Sequence, residues 1–442
     1  MARNRKQQLE IMHPHAAGID VHSDAHVVCT GPGEVQSFGG FTVDLQAIAA
    51  HLRQHGVTTV AMESTGVYWI PLFDLLEAEG FAVQLVEPGQ LSSCGARPKT
   101  DVLDCQWIQR LHSYGLLRGS FRPPAAVRAL RSYWRQRMTL VRLAANHVQR
   151  MQKALEQMNI KLPEVLSNLT GVSGTRIVEA ILAGERNPQT LAALADKKCH
   201  ASRTTIALAL EGTWWPEHLF ELKQAHGRVR FYTEQLVECD RMIELELAKQ
   251  PDRSQGQEMP KKKRAHGKRR SDLQFNATEP LFKALGVDLT AIDGIEIGTA
   301  LVILAEIGVD VSRFPTEKHF GSWLGLSPQP KRSNKTAQTS AVRKGSGRVK
   351  HALRMCAQSV GRTMTPLGVF YRRIKSRIGG RGACTATAHK LARLVYRMLK
   401  FGTTYVTQGL AEYEARMQEQ SKRRLEKLAK KLGYQLVASA SC

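Results

Sequence analysis

No apolar run in this 442-residue chain approaches the roughly 18 residues that a membrane-spanning helix requires. Its eight cysteines (Cys29, Cys94, Cys105, Cys199, Cys239, Cys356, Cys384, Cys442) contain no C-x-x-C pair. That argues against a zinc ribbon or a disulfide scaffold and for a reduced, cytoplasmic setting. The basic opening, MARNRKQQLE, is followed by no apolar stretch, so no secretory signal is expected. The most telling absence is of negative charge. Between Lys318 and Ala411 there is not one Asp or Glu, in a chain whose formal net charge is +24. Folded surfaces normally mix both signs, so this stretch implies a polyanionic partner. Nucleic acid is the leading candidate. A membrane surface is the weaker one, because the stretch has no amphipathic helix with bulky apolar anchors.

What remains is the composition of a globular protein, 43% hydrophobic and 6% aromatic, long enough for two or three domains. From residue 16 to 115 strand and helix signals alternate. AAGIDVH and HVVCT read as strands, GPGE as a turn, and VQSFGGFT as a third strand. Then DLQAIAAHLRQHG is helical, TTVAMES a strand, YWIPLFDLLEAEG an amphipathic helix and FAVQLVEP a short strand, with another helix after it. Three strands followed by strand–helix alternation is the layout of a ribonuclease-H-like α/β fold.

Beyond Pro123 and Pro124 a heptad frame places Val127, Trp134, Val141, Val148 and Leu155 at a and Leu130, Ala144, Met151 and Met158 at d, broken once by Arg137. A second frame has Leu222, Val229, Leu236 and Ile243 at a and Ala225, Tyr232 and Cys239 at d. Two such helices predict a helical coiled-coil arm, or two ordinary amphipathic helices of one bundle. The expected division is therefore an α/β domain at 14–122, a helical region at 123–250, a basic linker at 251–278, a mainly α domain at 279–410 and a charged helical tail at 411–442. In the mainly α domain, AIDGIEIGTALVILAEIG sets Gly294 and Gly298 around a turn that opens a helix. It resembles a phosphate-binding hairpin, although Glu296 stands where a second glycine is usual; LTGVSGTRIVEAILAG at 169–184 is a weaker echo.

Four carboxylates have a candidate chemistry. Asp20 lies inside the apolar strand GIDVH, a costly place for a charge. Glu63 ends the strand in AMESTG, which neighbours the first strand in a ribonuclease-H-like sheet. In RPKTDVLDCQW, Asp101 and Asp104 stand three apart on one face of a helix start. Alone, that pair reads as helix capping, with Thr100 or Asp101 at the N-cap. Brought to one sheet edge, all four would repel unless a divalent ion joined them. Oxygen ligands suit Mg²⁺ or Mn²⁺, and two ions about 4 Å apart can clamp a phosphoryl displacement.

The motifs GIDVH, MESTGVYW, LVEP and KTDVLD resemble the RuvC-like DEDD domain of transposases of the insertion sequence 110 family. The likeness continues through KKCHASRTTIALALEGTWWPEHLFELKQA and IDGIEIGTALVILAEIG to FGSWLGLSPQPKRSNKT. It implies that Asp20, Glu63, Asp101 and Asp104 are the acidic tetrad. It also implies a serine nucleophile in the C-terminal domain, which aligns on Gly325, Leu326 and Pro328 to Ser333, with Asn334 where the family has glycine; Ser327, Ser340 and Ser346 are the other serines nearby. Lys331, Arg332, Lys335, Arg343, Lys344, Arg348 and Lys350 would then bind nucleic acid.

The resemblance implies a bacterial, cytoplasmic, nucleoid-associated recombinase that cuts and rejoins DNA. It further implies guidance by a structured noncoding RNA and assembly as dimers that pair into tetramers. Two other readings use fewer of these residues. A hydrolytic nuclease of the Holliday-junction-resolvase type needs only the tetrad and water, and a non-catalytic nucleic-acid scaffold needs only the charge.

Overall fold

The computed structural model describes residues 10–93, 100–259, 272–328, 331–333, 336–339, 342 and 347–402, with scattered positions between 419 and 434. Much of the basic linker, Lys335, Arg343, Lys344, Ser340, Ser346 and most of the tail lie outside the described residues. The chain divides into two units, Met1–Arg122 and Pro123–Cys442.

In the first unit, strands β1 (Ala16–Val21), β2 (Ala25–Gly31) and β3 (Glu34–Gly39) precede helix α1 (Thr42–Gln54). Strand β4 (Thr59–Glu63), α2 (Trp69–Ala78), β5 (Ala82–Val86), α3 (Pro88–Ser93) and α4 (Asp101–Ser113) follow. The sheet order is β3-β2-β1-β4-β5. β2 is antiparallel to both β1 and β3, whereas β4 is parallel to β1 and to β5. This mixed five-stranded sheet with helices around it is consistent with the ribonuclease-H-like layout read from the strand and helix order. The six-residue α3 was not among the expected elements.

Burial explains why β1 reads as a near-continuous apolar run: all six of its residues are buried, because helices cover both faces of the central strand. On one face Ile19 and Val21 pack with Ile48 and Leu52 of α1 and Leu72 and Leu76 of α2. On the other, Ala61 and Val86 meet Ile108 and Leu111 of α4, and Val27 and Cys29 meet Cys105.

The second unit is mostly helical. It runs α5 (Ala125–Gln157), α6 (Leu162–Val165), α7 (Val172–Leu182), α8 (Pro188–Ala193), α9 (Arg203–Ala209) and α10 (Pro216–Ala248). Then come α11 (Thr278–Leu285), a 3₁₀ turn at Leu289–Ala291, α12 (Ile297–Ile307), α13 (Glu317–Trp323), a hairpin of β6 (Lys331–Ser333) and β7 (Thr336–Thr339), α14 (Gly347–Val360) and α15 (Pro366–Phe401). The last helix is broken at Gly379, whose φ of +77° a residue with a side chain rarely adopts.

Helices α5 and α10 lie antiparallel, and each has one end in each of two cores. Val127, Leu130 and Trp134 join Ile243 and Leu247 in the core built on α11 to α15. Met151, Leu155 and Met158 join Leu222, Ala225 and Val229 in a second core with α6 to α9. The two apolar frames face each other along this pairing, and the break at Arg137 has a partner. Its guanidinium ion-pairs with Asp240 of α10, both side chains being almost fully buried, and it donates to the Asp272 carbonyl at 3.0 Å. Asp240 also accepts from the Gln274 backbone N–H at 3.0 Å.

Removing one member of such a pair strands a buried charge, at about 3–5 kcal/mol, whereas replacing both with apolar groups is often neutral. Asp240→Ala is therefore expected to lower the denaturant midpoint sharply, and Arg137→Met with Asp240→Leu to recover most of the loss. Equal losses in the single and double variants would show that the ion pair itself is needed.

Candidate active site

Sheet register brings the first two carboxylates together. β1 and β4 pair in parallel through Gly18↔Ala61 and Ile19↔Met62. One step further along both strands stand Asp20 and Glu63, so strand alternation turns both to the same face of the sheet. That face is the one α4 covers, since Ala61, two residues before Glu63, packs on Ile108.

How close α4 comes is decided by Gly18. A Cβ at that position would lie 2.3 Å from the Gln109 backbone N and 2.5 Å from the Cys105 carbonyl oxygen. Only glycine lets the helix backbone rest directly on the strand. The Gln109 side chain fastens the contact by donating to the Ala16 carbonyl at 3.1 Å. The helix starts at Thr100, whose hydroxyl accepts from the Leu103 N–H at 3.3 Å, and Asp101 and Asp104 occupy its first turn. Capping and a carboxylate site thus share one helix end: the dipole favours both charges, and the packing at Gly18 carries them to Asp20.

Asp20 is only 6% exposed. Burial raises its pKa above the ordinary carboxylate value, and the charges of Glu63 and Asp104 push the same way, while His22 opposes them. His22 Nε2 lies 3.3 Å from Asp20 Oδ2 and 3.5 Å from Asp101 Oδ1. Ligand atoms of these three residues fall within 4.8 Å of one another. Glu63 accepts from the Thr65 hydroxyl at 2.7 Å. A buried carboxylate whose neighbours are carboxylates is compatible with a divalent cation, which would relieve the repulsion that otherwise favours protonation. Asp20, Glu63 and Asp104 are thus electrostatic neighbours, and Asp101 comes within 4.8 Å of Asp20. Two residues that sequence reading passed over, Gly18 and His22, belong with them. Both sit in GIDVH, in alternation with Asp20, which was the available signal.

The residues expected from the C-terminal region lie in the second unit. Ser333 ends β6, which also carries Lys331 and Arg332 and pairs antiparallel with β7 through Ser333↔Thr336. Pro328 bridges Val342 across the base of this hairpin. Just before it, the Ser327 hydroxyl is 3.3 Å from His389 Nε2. Burial first, then the charge of Arg393, lowers the pKa of His389 and keeps the ring neutral. Arg348 and Lys350 are on α14, and Arg348 approaches Glu306 at 3.8 Å.

Not every cation of the acid-free stretch is available to a phosphate. Arg393 and Arg397 both pair with Glu317, and Arg372 donates to the Gly361 and Thr363 carbonyls. The glycine turn before α12 is a packing feature: a Cβ on Gly294 would meet Val360 Cγ2 at 2.2 Å.

A sheet of this order with carboxylates beneath α4 is consistent with the class of ribonuclease-H-like domains and compatible with a divalent metal ion. Comparison with known families makes it specific. The DEDD_Tnp_IS110 model, described as a transposase, matches residues 17–160, and the model of the transposase IS116/IS110/IS902 family matches residues 288–372. The chain belongs to the IS110 family of transposases and is a DNA transposase/recombinase. No curated protein matches it.

Two outcomes follow. Gly18→Ala is expected to abolish strand cleavage with every carboxylate still present, because α4 must move off β1; wild-type cleavage would show that the close approach is dispensable. Asp20→Asn is expected to abolish cleavage yet raise the melting temperature in excess chelator at pH 7. The raised pKa means that ionised Asp20 costs native stability above the ordinary value of 3.8. The gain should fade as the pH falls below that value. A lower melting temperature at pH 7 would show that the Asp20 charge is paired even without metal.

Proposed function

We propose that this transposase cuts and rejoins DNA strands through a phosphoserine intermediate on Ser333, with Asp20, Glu63, Asp101 and Asp104 as a metal-holding tetrad. The observation that supports the metal site is the pairing of β1 with β4, which sets Asp20 beside Glu63, with Asp101 of α4 within 4.8 Å of Asp20. Chemically, the donor set suits Mg²⁺ or Mn²⁺. When bound, such an ion would supply Lewis-acid stabilisation of charge developing on the phosphoryl oxygens.

Ser333 is the nucleophile because its place after Gly325, Leu326 and Pro328 matches the family's serine. Its Oγ forms a bond to phosphorus as the phosphorus–oxygen bond of the strand breaks; the hydroxyl proton is lost and the leaving sugar oxygen takes one up. Attack by the hydroxyl of another strand reverses the exchange, so strands rejoin without ATP. Lys331, Arg332 and Lys335, the cations next to Ser333 in sequence, stabilise the charge developing on the phosphate. Arg343, Lys344, Arg348 and Lys350 contribute further positive charge for binding nucleic acid. The family likeness supports guidance by a structured noncoding RNA and assembly of dimers into tetramers, with α5 and α10 serving as the assembly arm. The domain boundaries follow the same reading.

A second assignment of the nucleophile has one contact in its favour. Ser327 faces a neutral His389 at 3.3 Å, the arrangement of a hydroxyl beside its general base.

Denaturant trapping of the cleavage reaction, with mass-spectrometric mapping of the protein–DNA adduct, separates these possibilities. The expected adduct is at Ser333 and is lost in Ser333→Ala, whereas Ser340→Ala and Ser346→Ala keep it. An adduct at Ser327 would transfer the role to the Ser327–His389 pair. Wild-type cleavage by Ser333→Ala without any adduct would favour the hydrolytic resolvase reading. Glu63→Gln, Asp101→Asn and Asp104→Asn are each expected to abolish cleavage while binding persists, and full activity would remove that residue from the tetrad.

RNA is expected to co-purify at low salt, and affinity for duplex DNA to fall with salt at a log–log slope of about −0.9 per neutralised phosphate. A flat salt response with no RNA present would count against the cationic surface.

A further inference from the structure

His22 is the imidazole in a site otherwise made of carboxylates. It follows β1 directly, two residues after Asp20, and its backbone N–H donates to the Ala25 carbonyl at 3.0 Å in the turn to β2. Strand alternation therefore puts its side chain on the Asp20 face, under α4. The side chain is 41% exposed and has no place in either apolar layer of the sheet. What it touches is charge: Asp20 Oδ2 at 3.3 Å and Asp101 Oδ1 at 3.5 Å.

These distances are longer than the roughly 2.7–3.2 Å of a well-made N–H···O bond. A long hydrogen bond to Asp20 and an ion-pair approach to Asp101 leave one imidazole nitrogen beside two carboxylate oxygens. Ligand atoms of Asp20, His22 and Asp101 all lie within 4.8 Å of one another, a grouping that could close on one cation. The three donors come from two elements that Gly18 holds in contact, β1 with its following turn and the first turn of α4. The imidazole is thus carried to the carboxylates by the same packing that assembles the tetrad.

We propose that His22 is a nitrogen ligand of the divalent ion held by Asp20 and Asp101, and that the site consequently prefers Mn²⁺ to Mg²⁺. The inference rests on the metal-site reading of the tetrad and deepens it. Mg²⁺ is hard, selects oxygen and sheds its water reluctantly, whereas imidazole is a ligand of the transition metals, and carboxylates serve Mn²⁺ equally well. A mixed nitrogen–oxygen set thus gains more from Mn²⁺.

The test uses the full chain, stripped with chelator and titrated with MnCl₂ or MgCl₂. Electron spin-echo modulation of the Mn²⁺-loaded protein is expected to show coupling to an imidazole ¹⁴N, and to lose it in His22→Ala. In calorimetric titration His22→Ala should weaken Mn²⁺ binding by about tenfold or more, the scale on which a metal site responds to a lost partner. Mg²⁺ affinity should change by less than about threefold. Mn²⁺ binding that requires Asp20 but shows no ¹⁴N coupling in the wild type would overturn the role of His22 and leave the acidic site standing, as would ¹⁴N coupling that persists in His22→Ala. Absence of any binding of either metal by the wild type at millimolar concentration would overturn the tetrad reading as well.

Discussion

The first unit depends on one contact between backbones. At Gly18 the chain of α4 rests on β1 with no Cβ between them, and the Gln109 side chain reaches the Ala16 carbonyl to fasten the contact. Any side chain at residue 18 would have to displace a helix whose opposite ends do different work. Its first turn carries Asp101 and Asp104, while Ile108 and Leu111 seal the sheet behind them. The apolar end makes the charged end tolerable, because packing of the helix body holds two carboxylates where their mutual repulsion alone would not.

That repulsion is the second constraint. Asp20 is buried beside Glu63 and Asp104, and its carboxyl accordingly holds its proton more tightly than an exposed one. A fold gains nothing in stability from this arrangement, since an apolar residue in the middle of β1 would pack at no electrostatic cost. Its chemistry suits a cation: positive charge entering there would relieve the repulsion. Stability is given up at the place where function needs a concentrated negative potential, a pattern common to active sites.

The second unit handles the opposite charge with equal economy. A stretch without a single carboxylate cannot neutralise itself, so its structural ion pairs borrow acids from outside it. Glu317, one residue before the stretch, binds Arg393 and Arg397 of α15. Glu306 on α12 takes Arg131 and Arg135 from α5 and is approached by Arg348 of α14. Arg372 of α15 is held by carbonyl oxygens. Cations spent in this way fasten the helices to one another, so the charge left for nucleic acid is smaller than the composition suggests and is concentrated in fewer places.

The local pattern of the chain by itself determined the order of strands and helices in the first unit, the two long apolar frames, and the candidacy of Asp20, Glu63, Asp101 and Asp104. Each of these is written in spacing: runs of buried β-branched residues, a 3.6-residue period, a charge inside an apolar strand. The likeness in GIDVH and KTDVLD added the family, which the matched family models bear out. Tertiary structure alone decided the rest. That Arg137 meets Asp240 required α10 to fold back along α5 across about a hundred residues of chain. That Gly294 serves packing required α14 behind it. That Gly18 and His22 belong to the site required α4 to settle on β1: their alternation with Asp20 in GIDVH puts them on one face, but only the packed helix shows what that face meets. Local periodicity is set by neighbours in sequence, but a close approach or a shared ion pair is a property of two segments, and neither segment contains it alone.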